Sequence, residues 1–371
     1  MSSYPQHPLP EGHRQPPAPM YPVYKPVPSP PAEPLEYHRL TRTYATYRWW
    51  KPLMVGLIAL GLFIGMTVLA TVVFMFAAMS NPAMEQTFDE MFMSEDIIDI
   101  DMSDPGIFAF SMVSIILMLP AILIATRIMN VQKVGSLTSV TGKMRWGWLG
   151  KCMLVAAAIL TLSLTLSFAV DSAGGIPFEP DFAAPNMWIL LFLTVLLVPF
   201  QATAEEYVFR GYLMQLLGSW LRHPAFAILI PVPFFMAGHM YDIYGQLDVG
   251  FFAVAAGWLA WRTGGLEAAI ALHVVNNSVI FVLGAIGLVD VSSTESNLPS
   301  LIASIITTVI YVAVVVRLAN KNNIERRSTP PAPLVYQTPQ YYWQQPQGWG
   351  PPPAHLFRNV RWALPSPMPH C

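Results

Sequence analysis

Long apolar runs alternate with short polar segments along the chain, and this pattern predicts membrane-spanning helices. An apolar run of about 18 residues or more can cross the hydrocarbon layer as a helix. Six runs reach this length: Leu53–Met79, Gly106–Thr126, Trp148–Val170, Met187–Ala204, Leu266–Leu288 and Leu298–Leu318. Two shorter runs, Ala225–Met240 and Phe251–Trp261, lie between the fourth and the fifth of them. The sequence therefore predicts an all-α, polytopic membrane protein with about eight transmembrane helices.

The two short runs indicate where these helices depart from simple spans, and one of them is broken by Pro231 and Pro233. Irregular backbone at membrane depth is tolerated where it lines a cavity or is buried in protein. We therefore expect a buried polar cavity in this part of the chain. The fourth run is expected to end at Ala204 near the inner membrane face. Tyr207–His223 is less apolar and should lie along that interface.

The charges of the connecting segments predict the orientation in the membrane. Arg39, Arg42, Arg48 and Lys51 precede the first run, whereas the loop 80–105 carries eight acidic residues and no lysine or arginine. Because cytoplasmic segments are enriched in lysine and arginine, this loop is expected to be external and solvated, with both chain ends in the cytoplasm. Proline-rich tails around a compact membrane core favour a bacterial protein, so we expect the bacterial cytoplasmic membrane.

Composition supports the membrane assignment and divides the chain into three parts. The chain is 54% hydrophobic and 11% charged, whereas soluble domains carry about 25% charged residues. Residues 1–51 contain 12 of the 35 prolines and residues 321–371 contain 11, so both are predicted to be disordered cytoplasmic tails around a transmembrane domain, 52–320. The tails are either plain tethers or docking sites for a partner. The net charge of −2 argues against a nucleic-acid partner.

Charged residues within the apolar core are the first candidates for function. Glu205 and Glu206 follow the fourth run, and Arg210 comes four residues after Glu206. On a helix, Glu206 and Arg210 share a face and can pair, which leaves Glu205 free for another task. Ionisable groups at this depth are costly and usually serve a function. The alternative is a helix end whose charged side chains reach back to the headgroups.

Two intramembrane histidines and an asparagine complete the polar set. His239 lies in one short run, and His273 lies four residues before Asn277 in the fifth long run. A single intramembrane histidine is usually a helix–helix hydrogen bond, but together with Glu205 these residues have the chemistry of hydrolysis. A carboxylate and a histidine can activate water, and a second histidine with an amide can stabilise an oxyanion. The sequence lacks the G-x-S-x-G and H-E-x-x-H motifs, which favours direct attack by water.

Three motifs in this order resemble the signature of the CPBP family, the CAAX-protease and bacteriocin-processing proteins that include the type II CAAX prenyl endopeptidases. They are E-E-x-x-x-R at 205–210, F-x-x-x-H at 235–239 and H-x-x-x-N at 273–277. The resemblance covers about residues 187–290. It implies an intramembrane endopeptidase whose cavity opens toward the cytosol and whose substrate is a peptide or a membrane protein.

The resemblance also implies roles for individual residues. Glu205 and His239 match the pair that activates the water, and His273 and Asn277 match the pair that forms the oxyanion hole. A working site of this kind requires Glu205 and His239 to lie in direct contact or to be bridged by one water. The sequence leaves two other classes of function open: a non-catalytic immunity or scaffold protein on the same fold, and a proton-coupled transporter.

Glu206 and Arg210 match the family residues that are structural or position the substrate. The family is often described as metalloproteases, and one divalent metal such as zinc could take Glu205, His239 and His273 as ligands. A metal-free glutamate mechanism is the alternative. The sequence alone leaves both mechanisms open.

Overall fold

A computed structural model describes residues 26–28, 33–80, 101–328 and 334–336, and within them the chain is mostly helical, with a few strands of two or three residues. The predicted all-α, polytopic class is confirmed. The α-helices in chain order are α1 Lys51–Ser80, α2 Pro105–Ile116, α3 Met118–Met129, α4 Trp146–Ala173, α5 Met187–Glu206, α6 Met214–Trp220, α7 Pro224–Leu229, α8 Val232–Ala237, α9 Ile243–Thr263, α10 Glu267–Ala285 and α11 Leu298–Lys321. The predicted acidic loop falls mainly on residues 81–100, outside the described residues.

Seven helical stretches of the described chain are long and apolar enough to cross a membrane, one fewer than predicted. The difference arises at Ala225–Met240, which forms the two short helices α7 and α8 instead of one span. Proline lacks an N–H donor and its ring collides with the preceding turn, so Pro231 and Pro233 interrupt the helix here. The other short run is longer than predicted, because Phe251–Trp261 is part of the 21-residue helix α9.

The helix that carries the glutamates continues far beyond them. The helical stretch Met187–Trp220 is 34 residues long and consists of α5, a π-helical segment Tyr207–Leu213 and α6. The prediction that this helix ends at Ala204 is therefore wrong, whereas the position of residues 207–223 along the inner interface stays a prediction. About 21 Å of helix follow Glu206, at 1.5 Å per residue. The helix can continue because Arg210 neutralises Glu206 within the protein.

Helix α10 lies at the centre of the bundle. It packs against α5, α4 and α9, and its first half is buried on all sides. Ala268, Ala269 and Ala271 are fully buried, and such small side chains let neighbouring membrane helices approach closely. Around this centre, α2 packs against α5, α1 against α3, and α11 against α9 and α4. The central helix therefore brings His273 and Asn277 beside the helix that carries Glu205.

The membrane domain begins earlier than the predicted boundary at residue 51. A 3₁₀ helix, Tyr37–Thr43, packs against α6 and buries the Tyr37 and His38 side chains completely. The Tyr37 hydroxyl donates a hydrogen bond to the Leu137 carbonyl. The predicted tail is therefore wrong for these residues, since apolar and aromatic side chains among the prolines give the segment something to bury. Of the two predicted tails, the structure describes residues 26–28, 33–51, 321–328 and 334–336.

Short strands pair segments that precede the first helix with segments that follow the last one. Leu35–Glu36 pairs antiparallel with Arg327–Ser328, so the second tail boundary at residue 321 also lies too early. Glu36 accepts hydrogen bonds from Trp261 at 3.0 Å and from Arg327 at 3.0 Å. In a separate unit of the chain, Pro26–Pro28 pairs antiparallel with Leu334–Tyr336.

A buried ion pair fixes one end of the central helix. Arg145 donates two parallel hydrogen bonds to Glu267, at 2.8 Å through Nε and at 2.6 Å through Nη2. Its Nη1 also donates to the carbonyls of Thr263 and Glu325. The Glu267 side chain is fully buried, so the pair is shielded from water. This arginine therefore ties α4, the turn between α9 and α10, and the segment after α11 to one point.

Removing one partner of this pair should destabilise the fold strongly. In Glu267→Ala the Arg145 guanidinium would stay largely buried without its carboxylate, which costs about 3–5 kcal/mol in comparable sites. We expect a correspondingly lower free energy of unfolding in detergent, measured by denaturant titration. Arg327→Ala is the matched control, because it removes an exposed pair with Glu36 and should cost less than about 1 kcal/mol. Equal losses in the two variants would contradict the structural role of Arg145.

His38 should make the fold sensitive to acid. Burial of its ring lowers the pKa of His38, although the hydrogen bond to the Arg222 carbonyl and the nearby Glu36 charge oppose this shift. The unfolded chain takes up a proton near pH 6.5, whereas folded His38 resists protonation, so stability is complete above that pH and falls as the pH decreases. At pH values below about 6.5, we expect the unfolding midpoint of the wild type to decrease more steeply with falling pH than that of His38→Gln. Parallel pH curves for the two proteins would exclude this role.

Candidate active site

The two oxygens of Glu205 have different surroundings. Oε1 accepts a hydrogen bond of 2.9 Å from Gln201 Nε2, one helical turn earlier on α5. Oε2 lies 3.5 Å from His273 Nε2, and it has no hydrogen-bond partner in the described part of the protein. The Glu205 side chain is 8% exposed. This carboxylate is therefore held by one oxygen, and its other oxygen can act on a small molecule in the site.

Glu206 holds a second part of the site together. Its Oε1 accepts a hydrogen bond of 2.9 Å from Arg210 Nη1 and lies 2.8 Å from His273 Nδ1. Glu206 is fully buried and Arg210 is 3% exposed. The Arg210 guanidinium also lies 4.3 Å from the ring centroid of Phe235 and 5.8 Å from that of Phe252, within the range of cation–π attraction. The predicted pairing on one helical face is present, and it extends to His273.

The orientation of the His273 ring follows from this contact. Glu206 Oε1 accepts from Arg210 Nη1, and a carboxylate oxygen that pairs with an arginine serves as a hydrogen-bond acceptor. His273 Nδ1 must therefore donate, and its Nε2 faces Glu205. His273 thus bridges the two adjacent glutamates, one through each ring nitrogen.

Asn277 joins the same network through Gln201. Its Nδ2 donates to Gln201 Oε1 at 3.2 Å, and its Oδ1 accepts from Asn276 Nδ2 at 3.4 Å. An amide nitrogen has two hydrogens, so Asn277 keeps one N–H for another acceptor. The side chain is partly exposed, unlike that of His273 one turn earlier. The remaining N–H of Asn277 therefore lies at the partly exposed edge of the site.

His239 lies next to this network but is not hydrogen-bonded to it. It follows α8, and its Nδ1 is 2.8 Å from the Phe235 carbonyl. Phe235 lies near both histidines, with its ring centroid 4.8 Å from that of His239 and 6.2 Å from that of His273. Among the ion pairs of the described residues, Glu205 pairs with His273 and not with His239.

The loop after α8 nevertheless lies within electrostatic range of Glu205. Burial raises the pKa of the Tyr241 phenol, and the Glu205 charge raises it further. Tyr241 and His239 have ring centroids 6.1 Å apart. Contact between Glu205 and His239 through one water stays a prediction.

Sequence reasoning missed Gln201, Phe252 and Tyr241. Gln201 precedes Glu205 by four residues, so the same helical spacing that pairs Glu206 with Arg210 could have indicated it. Phe252 comes from a separate helix, and no local spacing relates it to Arg210.

The proposed zinc ligands do not fit a metal centre in this structure. Among the residues that the structure describes, no three histidine, cysteine, aspartate or glutamate side chains converge as a metal-ligand set. His273 already lies close to a glutamate through each ring nitrogen, at 3.5 Å from Glu205 and 2.8 Å from Glu206. Zinc needs its ligands about 2.0–2.2 Å away and around one point. Glu205, His239 and His273 lack that arrangement.

Arg210 should be needed for the fold as well as for the site. Arg210→Ala would leave Glu206 buried without its guanidinium partner, and the loss of one partner of a buried ion pair costs about 3–5 kcal/mol. We expect Arg210→Ala to accumulate in membranes at several-fold lower levels than the wild type, as measured by quantitative immunoblot. Arg262→Ala, at a partly exposed arginine on α9 that bonds Asn320, serves as the control and should accumulate normally. Normal levels of Arg210→Ala would contradict the pairing argument.

Comparison with known proteins agrees with this geometry. Residues 185–279 match the family model described as type II CAAX prenyl endopeptidase Rce1-like, and this segment contains all six predicted site residues. The uncharacterized protein YyaK of Bacillus subtilis (strain 168) is 22% identical over 259 residues, which are 68% of this chain and 82% of that protein. No solved structure matches the chain at a significant level. Residues 185–279 are therefore similar to the type II CAAX prenyl endopeptidases, and the seven long apolar helices of the described chain indicate an integral membrane protein.

Proposed function

We propose that the protein is an intramembrane endopeptidase in which Glu205 activates a water molecule to hydrolyse a peptide bond. The observation that carries the proposal is the unequal environment of the Glu205 oxygens. Gln201 holds Oε1, while Oε2 is buried and free of hydrogen bonds in the described part of the protein. A carboxylate oxygen placed in this way can accept the proton of an attacking water.

His239 is suited to assist the same water. The Phe235 carbonyl can only accept a hydrogen bond, so His239 Nδ1 carries the hydrogen and Nε2 of the neutral ring has a lone pair. That nitrogen makes no hydrogen bond to another described residue, and the side chain is partly exposed. His239 Nε2 can therefore accept a hydrogen bond from the water on the side opposite Glu205.

Asn277 and His273 are suited to stabilise the negative charge of the tetrahedral intermediate. Asn277 has one N–H left after donating to Gln201. His273 Nε2 lies 3.5 Å from Glu205 Oε2, beside the oxygen proposed to activate the water. A hydrogen on Nε2 would let His273 donate toward the reacting carbonyl oxygen. Preorganised donors of this kind contribute most when water is excluded.

The substrate class follows from the setting of the site. Glu205 and His273 lie within apolar helices, so the scissile bond must reach into the membrane domain from a peptide or a membrane protein. Basic segments at both ends of the membrane domain favour cytoplasmic termini in a bacterial cytoplasmic membrane. The mechanism uses the carboxylate and the histidines, with no step through a metal.

The decisive variant is Glu205→Gln. It keeps the size of the side chain and one oxygen that can accept from Gln201 but removes the base, so cleavage should fall by about 10²–10⁴-fold. We would measure cleavage of membrane-anchored and C-terminal-motif peptides by the purified protein in liposomes. Glu295→Gln is the control, because this glutamate lies in the loop before α11 and outside the site. Cleavage should continue in the presence of a chelator.

Three results would speak against the proposal. Equal cleavage by Glu205→Gln and the wild type would exclude Glu205 as the base. Loss of cleavage with the chelator, restored by zinc, would require a metal-dependent mechanism. Absence of cleavage across the panel, together with normal cellular function of Glu205→Gln, would favour a non-catalytic scaffold on this fold.

A further inference from the structure

We infer that Gln201 is a positioning residue that couples the catalytic base to the oxyanion donor. The inference rests on the proposed function and adds a residue outside the three sequence motifs. Gln201 donates to Glu205 through Nε2 and accepts from Asn277 through Oε1, at 2.9 Å and 3.2 Å. A single side chain thus contacts both groups that act on opposite sides of the reacting carbonyl.

Geometry makes this link rigid. Gln201 lies four residues before Glu205 on α5, whereas Asn277 lies on the central helix α10. The Gln201 side chain is 4% exposed, so water does not compete strongly for its amide. Its two hydrogen bonds therefore join two tightly packed helices at the level of the site.

The carboxylate of Glu205 sets the direction of the hydrogen bonds that connect it through Gln201 to Asn277. Glu205 Oε1 is the acceptor, so the NH₂ group of Gln201 faces Glu205 and its carbonyl faces Asn277. Asn277 is then obliged to present its NH₂ group to Gln201, and its carbonyl accepts from Asn276. In the opposite orientation, Asn277 would present a carbonyl oxygen to the oxyanion and repel it. Gln201 thus fixes which end of the Asn277 amide faces the substrate.

Gln201 also determines which oxygen of Glu205 reacts. By occupying Oε1 it leaves Oε2 on the side of His273. Loss of this contact would free the carboxylate to rotate, and small displacements of a reacting group lower the rate steeply. A packing role alone would affect stability and not the chemical step.

The test compares Gln201→Met and Gln201→Glu with a buried glutamine of the same helical stretch. Gln215 is 1% exposed and also makes two hydrogen bonds, accepting from Gln132 and donating to the Ser136 carbonyl. Gln215→Met therefore controls for the loss of a buried amide. Steady-state cleavage gives kcat and KM, and thermal unfolding in detergent gives the folded fraction.

We expect both Gln201 variants to lower kcat by about 10- to 100-fold with little change in KM, because the lost contact acts on the transition state. Gln201→Glu keeps the shape but cannot donate to Glu205, so it should be no better than Gln201→Met. Gln215→Met should lower the unfolding temperature and leave kcat unchanged. Wild-type kcat in Gln201→Met, with Glu205→Gln inactive, would overturn the inference and leave the proposed function intact.

A second readout does not depend on turnover. The infrared difference between the wild type and Glu205→Gln isolates the Glu205 carboxylate bands, which respond to hydrogen bonding. These bands should shift in Gln201→Met and stay in place in Gln215→Met. Unshifted bands in Gln201→Met would overturn the inference even if no cleaved peptide were found.

Discussion

The site depends on one buried ion pair, between Glu206 and Arg210. A carboxylate in an apolar bundle is tolerated only with a compensating charge and hydrogen bonds, and Arg210 supplies both from the next helical turn. Once neutralised, Glu206 can accept a hydrogen bond from His273 on the central helix. That contact turns the other ring nitrogen toward Glu205. The pair therefore allows the long helix to continue past two adjacent acids, and it also sets the direction of the histidine beside the reactive carboxylate.

A second ionic contact explains why the central helix α10 holds its site residues in fixed positions. Glu267 at its first residue is held by Arg145, and His273 follows at about 9 Å along the axis. Between them lie alanines that pack directly against neighbouring helices. The helix is thus fixed by charge at two points and by close packing along the interval. Rotation about its axis would break both contacts, so the position of Asn277 one turn further is well defined.

Sequence patterns identified what depends on local spacing and hydropathy. The long apolar runs marked the spans, and the four-residue spacing of Glu206 and Arg210 identified a contact that the structure contains. The hydropathy and spacing patterns gave wrong predictions where residues distant in the sequence determine the local structure. The helix was expected to end at Ala204, because charged residues such as Glu205 and Glu206 are typical of a helix end. In the structure, His273 and Arg210 pair with these glutamates inside the protein. Tyr37 was assigned to a tail because prolines surround it, yet its ring fills a space beside α6 that only the folded protein creates.

The two halves of the site are held in different ways, and this has a consequence for how it works. Glu205, Gln201, His273 and Asn277 lie on packed helices and are joined by hydrogen bonds. His239 follows a six-residue helix, and its ring is attached through the carbonyl of Phe235 on that same short element. A base and its helper must both reach the attacking water, and such contacts often tighten only when substrate binds. Since the helical half is fixed, we expect substrate to adjust the segment that carries His239, with Phe235 as the contact that links this movement to Arg210.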